Sequence, residues 1–259
     1  MSKKLRAAAA YVLPPAIALV AAVAFWEFWV QWRDIAIIVV PPPSAVWERF
    51  AEDPEFFWRE GGWTLYEATL GLLMGSAFAV ALAVVMAHSR LAERALFPLA
   101  IVIKVTPIVA VAPVLVIVFG FGTTPKIVVA ALLSFFPMLV NAMTGFRDVN
   151  PGALEFMRSL RASPWQLFWK LRAPSALPYL FAALKVTYPL ALIGAVVAEW
   201  FTGDRGLGLV IFVANSNLDT PTLFAAIGVL ALTGVSLNVI LSVAERRILF
   251  WHQTTRSVQ

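Results

Sequence analysis

Residues 150–178 read Asn150-Pro-Gly-Ala-Leu-Glu155-Phe-Met-Arg158-Ser-Leu-Arg161-Ala-Ser163-Pro164-Trp165-Gln-Leu-Phe168-Trp169-Lys170-Leu171-Arg172-Ala-Pro174-Ser-Ala-Leu-Pro178. Asn150-Pro151 predicts a helix start, with proline at the first helical position, where its missing N–H costs nothing. Leu154, Met157 and Leu160 fall on one face of that helix, and Glu155 and Arg158 fall towards water. Ser163-Pro164 predicts a second start by the same logic of a capping side chain followed by proline. Trp165, Phe168, Trp169 and Leu171 make the second helix strongly apolar, although it lies between two hydrophobic blocks rather than inside one. Two short helices at an angle, presenting aromatic side chains to solvent, form a docking element. The plainer alternative is an amphipathic helix resting on the membrane surface.

The flanking sequence decides where this element stands. Of 259 residues, 61% are apolar and 14% charged, whereas a soluble domain carries roughly a quarter charged residues. The apolar residues come in blocks near the ~20 residues that cross a bilayer as a helix: Ala7–Val30, Leu65–Ala87, Ala95–Phe119, Ile127–Phe146, Pro178–Phe201 and Leu223–Ala244. The expectation is an all-α membrane protein of about six transmembrane helices, a single transmembrane domain over 1–259. The first block follows Lys3, Lys4 and Arg6 as a signal peptide would, but its apolar length exceeds a normal signal core, so it is expected to be retained. With the N-terminus inside, the inner segments collect 13 of the 20 Lys and Arg residues, and the outer ones only Arg33, Arg49, Arg59, Lys126 and Arg205. Basic loops stay cytoplasmic, so both termini and the 147–177 segment are expected there. This asymmetry accounts for the net charge of +5 without nucleic acid. There are no cysteines, and His88 and His252 lie far apart, so neither a thiolate nor a histidine metal site is expected.

The outer stretch 31–63 carries Pro41-Pro42-Pro43-Ser44, predicting a short helix over 45–50 capped by Ser44. Its Trp47, Phe56, Phe57, Trp58 and Trp63 suit the membrane interface. Charges within the spans are costly and mark pathways when they do not snorkel. Lys104, Glu27, Lys185 and Glu199 are such charges, and Pro107, Pro113 and Pro189 are expected kinks or hinges. Lys104, Thr106, Tyr188 and Glu199 are the candidates for a substrate path.

The 155–178 segment resembles the EAA loop of binding-protein-dependent ABC transporter permeases, a pattern of Glu-Ala-Ala, three residues, Gly, nine residues, then Ile-x-Leu-Pro. Glu155 stands on its Glu, Leu171 on its Ile and Pro174 on its Pro. Phe156 and Met157 replace the alanines, Ala173 the leucine, and Arg161 the glycine, where arginine takes positive φ only at a cost. The resemblance extends over most of the chain from about Trp63. Pro107 through Gly122 and Gly194-Ala-Val-Val-Ala-Glu199-Trp-Phe with Gly206-Leu-Gly208 are similar to nitrate, sulfonate and taurine-type permeases. Leu160-Arg-Ala-Ser163 and the Glu199 segment are more similar to the pyrimidine (thiamine-precursor) or riboflavin branch.

That resemblance implies a type I ABC importer permease fold in a bacterial inner membrane. It implies a homodimer with two ATPase subunits, and a periplasmic or lipid-anchored protein that delivers a small organic anion or a heterocyclic vitamin precursor. Coupling to the ATPase would fall to Glu155, Arg158, Arg161, Ser163, Pro164, Trp165, Phe168, Leu171 and Pro174, with Trp165 and Phe168 as buried anchors. The chain has no phosphate-binding loop: Gly120-Phe-Gly-Thr-Thr-Pro-Lys126 has the wrong spacing. ATP and magnesium are therefore expected on the partner, with no cofactor or catalytic residue here. A secondary transporter is the rival reading, but no inverted repeat with paired broken helices is visible. An intramembrane hydrolase would need a positioned nucleophile and base, and no Gly-x-Ser-x-Gly elbow is present.

Overall fold

A computed structural model describes residues 3–250, with side chains from Leu13 onward. The basic side chains of Lys3, Lys4 and Arg6, together with His252 and Arg256, lie outside the described residues. Among the described residues every regular element is helical: α1 (Lys3–Trp32), α2 (Pro43–Glu52), α3 (Pro54–His88), α4 (Arg90–Val105), α5 (Ile108–Phe119), α6 (Thr123–Arg147), α7 (Pro151–Ser159), α8 (Pro164–Leu167), α9 (Ala173–Thr202), α10 (Leu207–Ser216) and α11 (Thr220–Ile248). Five stretches are long and apolar enough to cross a membrane: Leu13–Trp32, Pro54–His88, Thr123–Arg147, Pro164–Thr202 and Thr220–Ile248. A sixth crossing exists if α4 and α5 count as one span.

That third span departs from the sequence expectation of one helix over 95–119. It is broken at Thr106-Pro107 with a bend of 98°. Proline disfavours the helical conformation in the residue before it, and Thr106 is extended (φ −70°, ψ 123°), as is Pro107 (φ −64°, ψ 112°). The Thr106 hydroxyl turns back to donate to the Val102 carbonyl (2.7 Å), closing the end of α4.

One compact unit runs to Arg59 and includes Val210–Val229. Within it, α2 starts at Pro43, and Ser44 does not cap it as expected. The Ser44 backbone N–H (2.9 Å) and hydroxyl (2.8 Å) instead donate to the Glu27 carboxylate, so Glu27 is satisfied by protein rather than by snorkelling. Arg49 Nε donates to Thr222 Oγ1 (2.8 Å), and Trp26 packs on Phe224. Helix α3 begins at Pro54, well before the expected Leu65, because Asp53 accepts the Phe56 N–H (3.0 Å) as its cap.

The other unit comprises Glu60–Leu209 and the chain from Leu230. Its central helix is α6, and small residues let α3 and α9 approach it closely, the packing that works where lipid removes any hydrophobic drive between helices. A Cβ on Gly75 would stand 2.6 Å from Ser134 Oγ and 2.9 Å from Ala131 Cα, and one on Gly194 would stand 2.8 Å from Ala130 Cα. Towards the other end of α6, Ala79, Ala83, Met86, Met138, Leu139, Ala142 and Ala183 form a buried cluster. Lys185 does not snorkel: its ammonium pairs with Glu245 of α11.

Candidate functional site

The segment between α6 and α9 is organised by its own caps. Asn150 Oδ1 accepts the Ala153 N–H (3.1 Å) and starts α7. Arg161 then adopts φ 52°, in the left-handed region. The turn that glycine would make easily is thus kept, at a strain of order 1–2 kcal/mol. Ser163 and Gln166 form a reciprocal capping box, with Gln166 N–H donating to Ser163 Oγ (3.3 Å) and Ser163 N–H to Gln166 Oε1 (2.9 Å). The chain runs from α8 into α9 through a π-helical turn, Phe168–Arg172, where the Ala173 N–H bonds to the Phe168 carbonyl five residues back. Pro174 explains the wide turn: it has no N–H to complete an α-helical bond there.

Packing separates two side chains that look alike in sequence. Trp165 is 71% exposed, and Trp169, edge-on to it at 5.5 Å, is 54% exposed. Phe168 instead turns into the bundle, 5.6 Å from the Phe146 ring and 5.9 Å from His88. It is half-buried and packs the segment onto its own chain. Phe156 and Leu160 are also exposed, as are Glu155, Arg158, Arg161, Ser163, Pro164 and Pro174, and Leu171 is half-buried. Arg172 reaches His88 Nε2 (3.3 Å), while His88 Nδ1 contacts the Val84 carbonyl (2.8 Å), a second tie between the π turn and α3.

At the opposite end of α9 lies a buried polar network whose one member among the candidate site residues is Glu199. Glu199 has no exposed surface. Its Oε1 accepts from Thr64 Oγ1 (2.7 Å) and its Oε2 from the Gly208 N–H (2.5 Å). Thr64 in turn accepts the Leu207 N–H (2.9 Å), and Glu60 accepts the Gly206 N–H (2.8 Å). The three amides at the start of α10, which no helical carbonyl can satisfy, thus go to side chains from α3 and α9, two of them carboxylates suited to a helix N-terminus. This explains Gly206-Leu-Gly208. A Cβ at Gly206 would fall on the Glu199 carboxylate, and one at Gly208 would stand 2.6 Å from Glu199 Oε2.

Beside this network, Lys126 corrects a sequence expectation. It does not belong to an exposed outer loop but lies fully buried in the first turn of α6. Its ammonium contacts Glu67 Oε1 (3.1 Å), Asp204 Oδ1 (2.6 Å) and the Arg205 carbonyl (3.0 Å), one acceptor for each of its three N–H bonds. Burial opposes the charge on Asp204, but the hydrogen bond and charge of Lys126 outweigh it and hold that carboxyl below its ordinary value. The Arg205 guanidinium lies 3.7 Å from the centre of the Trp63 ring. Glu67 was legible as a carboxylate inside an apolar block, and that signal was missed.

The four path candidates fall in three places. Lys104 and Thr106 line a cavity of about 380 Å³ at the bend between α4 and α5. Glu199 belongs to the buried network. Tyr188 is buried, with its hydroxyl donating to the Gly234 carbonyl of α11 (2.8 Å). Among the described residues no cluster of His, Cys, Asp or Glu is arranged to hold a metal ion.

Relatives match over most of this chain's length. The riboflavin transport system permease protein of Chloroflexus aurantiacus is 35% identical over 237 residues, covering 91% of this chain and 88% of its own. The formylaminopyrimidine transport permease protein of Halalkalibacterium halodurans is 29% identical over 241 residues, 93% of this chain and 96% of its own. The chain superposes on an inward-facing structure of the MetNI methionine ABC transporter with a TM-score of 0.65 at 17% identity, covering 80% of this chain and 98% of that one. At that identity the likeness shows the fold, a type I ABC importer permease. The sequence profile described as the binding-protein-dependent transport system inner membrane component matches residues 71–250, and the chain, a multi-pass inner membrane ABC permease, belongs to that family.

Proposed function

We propose that this permease admits a small organic solute, handed over by a separate binding protein, and is driven by a separate ATPase that grips the α7–α8 segment. The observation that carries the coupling role is the outward display of Trp165 and Trp169 on a tip whose other face, through Phe168, is fixed to the bundle. A large aromatic pair, exposed and held by a rigid cap, is the kind of anchor that dominates interface energy. Glu155, Arg158 and Arg161 stand exposed around it and would set orientation at the rim. Phe156 and Leu160 add apolar area beside them. ATP and magnesium sit on the partner in this reading, two ATPase subunits serve a pair of permease copies, and the loop lies in the cytoplasm. Closure of the ATPases would move the docked tips together and shift the bundle from inward- to outward-open by differential binding.

The test replaces Trp165 and Trp169 with alanine together and measures co-purification of the ATPase and ATP-driven uptake. The expected result is loss of the ATPase from a permease that remains folded. Normal co-purification with normal uptake overturns the coupling assignment. Phe168→Ala serves as the contrast: it loosens the tip from the bundle and lowers thermal stability of the permease alone.

A further inference from the structure

The cavity at the α4–α5 bend has a composition that sorts ligands. Apart from Lys104 and Thr106 its walls are apolar, built from residues such as Val102, Ile108, Leu133, Phe136 and Leu190. The Thr106 hydroxyl is already committed to the Val102 carbonyl. Lys104 is therefore the one charged group on the wall. Its ammonium stands 4.7 Å from the centre of the Phe136 ring, and among the described residues no carboxylate pairs with it. Such a charge in an apolar span is costly and marks a functional position. It is tolerated because it sits in the last turn of α4, where the free carbonyls of a helix end carry partial negative charge. Ile108, also on the wall, begins α5 on the other side of the bend.

Two consequences follow for what fits. A compact oxyanion draws donors from several directions, and the wall offers it Lys104 alone. A ligand with a flat apolar body and a single acceptor-bearing edge loses little on entry. Its edge meets the ammonium, and its ring lies against Phe136 and the aliphatic wall. The volume is within the range that holds small organic ligands.

We infer that the α4–α5 cavity is a ligand site for a planar heterocycle bearing carbonyl or anionic oxygen on one edge, with Lys104 as the edge contact and Phe136 as the ring contact. The inference rests on the reading of the chain as a solute importer, and names the solute class that reading leaves open.

The experiment uses the assembled permease, ATPase and binding protein in nanodiscs and proteoliposomes. Equilibrium dialysis with riboflavin, a formylaminopyrimidine and taurine measures binding to the permease, after the binding protein has been removed. At least one of the two heterocycles is expected to bind, and taurine is not. Lys104→Met should weaken that binding on the order of tenfold or more, Lys104→Arg should hold it within a few-fold, and Phe136→Leu should fall between. Binding of neither heterocycle, equal binding of taurine, or indifference to Lys104→Met overturns the inference. So does native mass spectrometry that finds only phospholipid on the wild type, displaced by neither heterocycle. ATP-dependent uptake separates this from the parent reading. If the wild-type complex moves no solute with ATP, the importer reading fails. If it does and Lys104→Met moves the same heterocycle equally well, only the cavity assignment fails.

Discussion

Replacing Lys126 with methionine is the sharpest probe of the buried network. The methionine chain fills nearly the same volume, so packing is largely conserved and the change is electrostatic. Three contacts disappear together: to Glu67 at 3.1 Å, to Asp204 at 2.6 Å and to the Arg205 carbonyl at 3.0 Å. Asp204 is about a third exposed and can turn to water, but Glu67 has no exposed surface and cannot. Breaking a buried pair by removing one partner costs about 3–5 kcal/mol, because the remaining charge is left without compensation. Glu67→Gln alone removes the charge but keeps an amide oxygen that can accept from Lys126, beside Asp204 and the Arg205 carbonyl, and should cost less. The double variant Lys126→Met with Glu67→Gln should recover a substantial part of the loss, since neither charge then remains uncompensated. Equilibrium unfolding of the purified permease in mixed micelles, followed by circular dichroism, reads all three. A Lys126→Met variant within about 1 kcal/mol of wild type, or a double variant no more stable than that single one, refutes the reasoning.

Two further substitutions test geometry rather than charge. Arg161→Gly should stabilise the turn between α7 and α8 by up to about 1 kcal/mol, because arginine there holds φ 52°, while Arg161→Val should destabilise it, β-branching making positive φ worse. Chemical denaturation and hydrogen exchange of the 150–172 segment check both, and equal stability of the glycine and valine variants would contradict the assignment of strain. Gly75→Leu should force α3 away from α6, since even a Cβ would stand 2.6 Å from Ser134 Oγ. Overpacking of this kind costs about 1–3 kcal/mol or more, and a monodisperse, wild-type-stable product by size exclusion and thermal melting would show that the helices are not in close contact there.

The parts of this fold that sequence reading reached are those set by local chemistry. Apolar runs of bilayer length give the spans, and Asn150-Pro151 and Ser163-Pro164 give the two short helices, because a cap and its recipient amides are three residues apart. Features set by distant partners were out of reach. Lys126 looks like a loop charge until Glu67, 59 residues earlier, is brought beside it. Pro107 announces a disturbance, but the 98° bend depends on how α5 packs against α6 and α9. Phe168 looks like Trp165 in sequence, yet only Phe168 meets Phe146 and His88, partners distant in the chain. The family resemblance could not say which of the segment's aromatics faces outward.

From Pro164 to Thr202 the backbone is one helical rod of 39 residues, on the order of 58 Å at 1.5 Å per residue. Its near tip bears Trp165, and close to its far tip Glu199 clasps the first amides of α10. No separate relay is needed between the two ends. If a partner grips the tryptophans as proposed, it pulls on the same continuous helix that ends at the glutamate, interrupted at the π turn and at Pro178 and Pro189, where backbone bonds are missing.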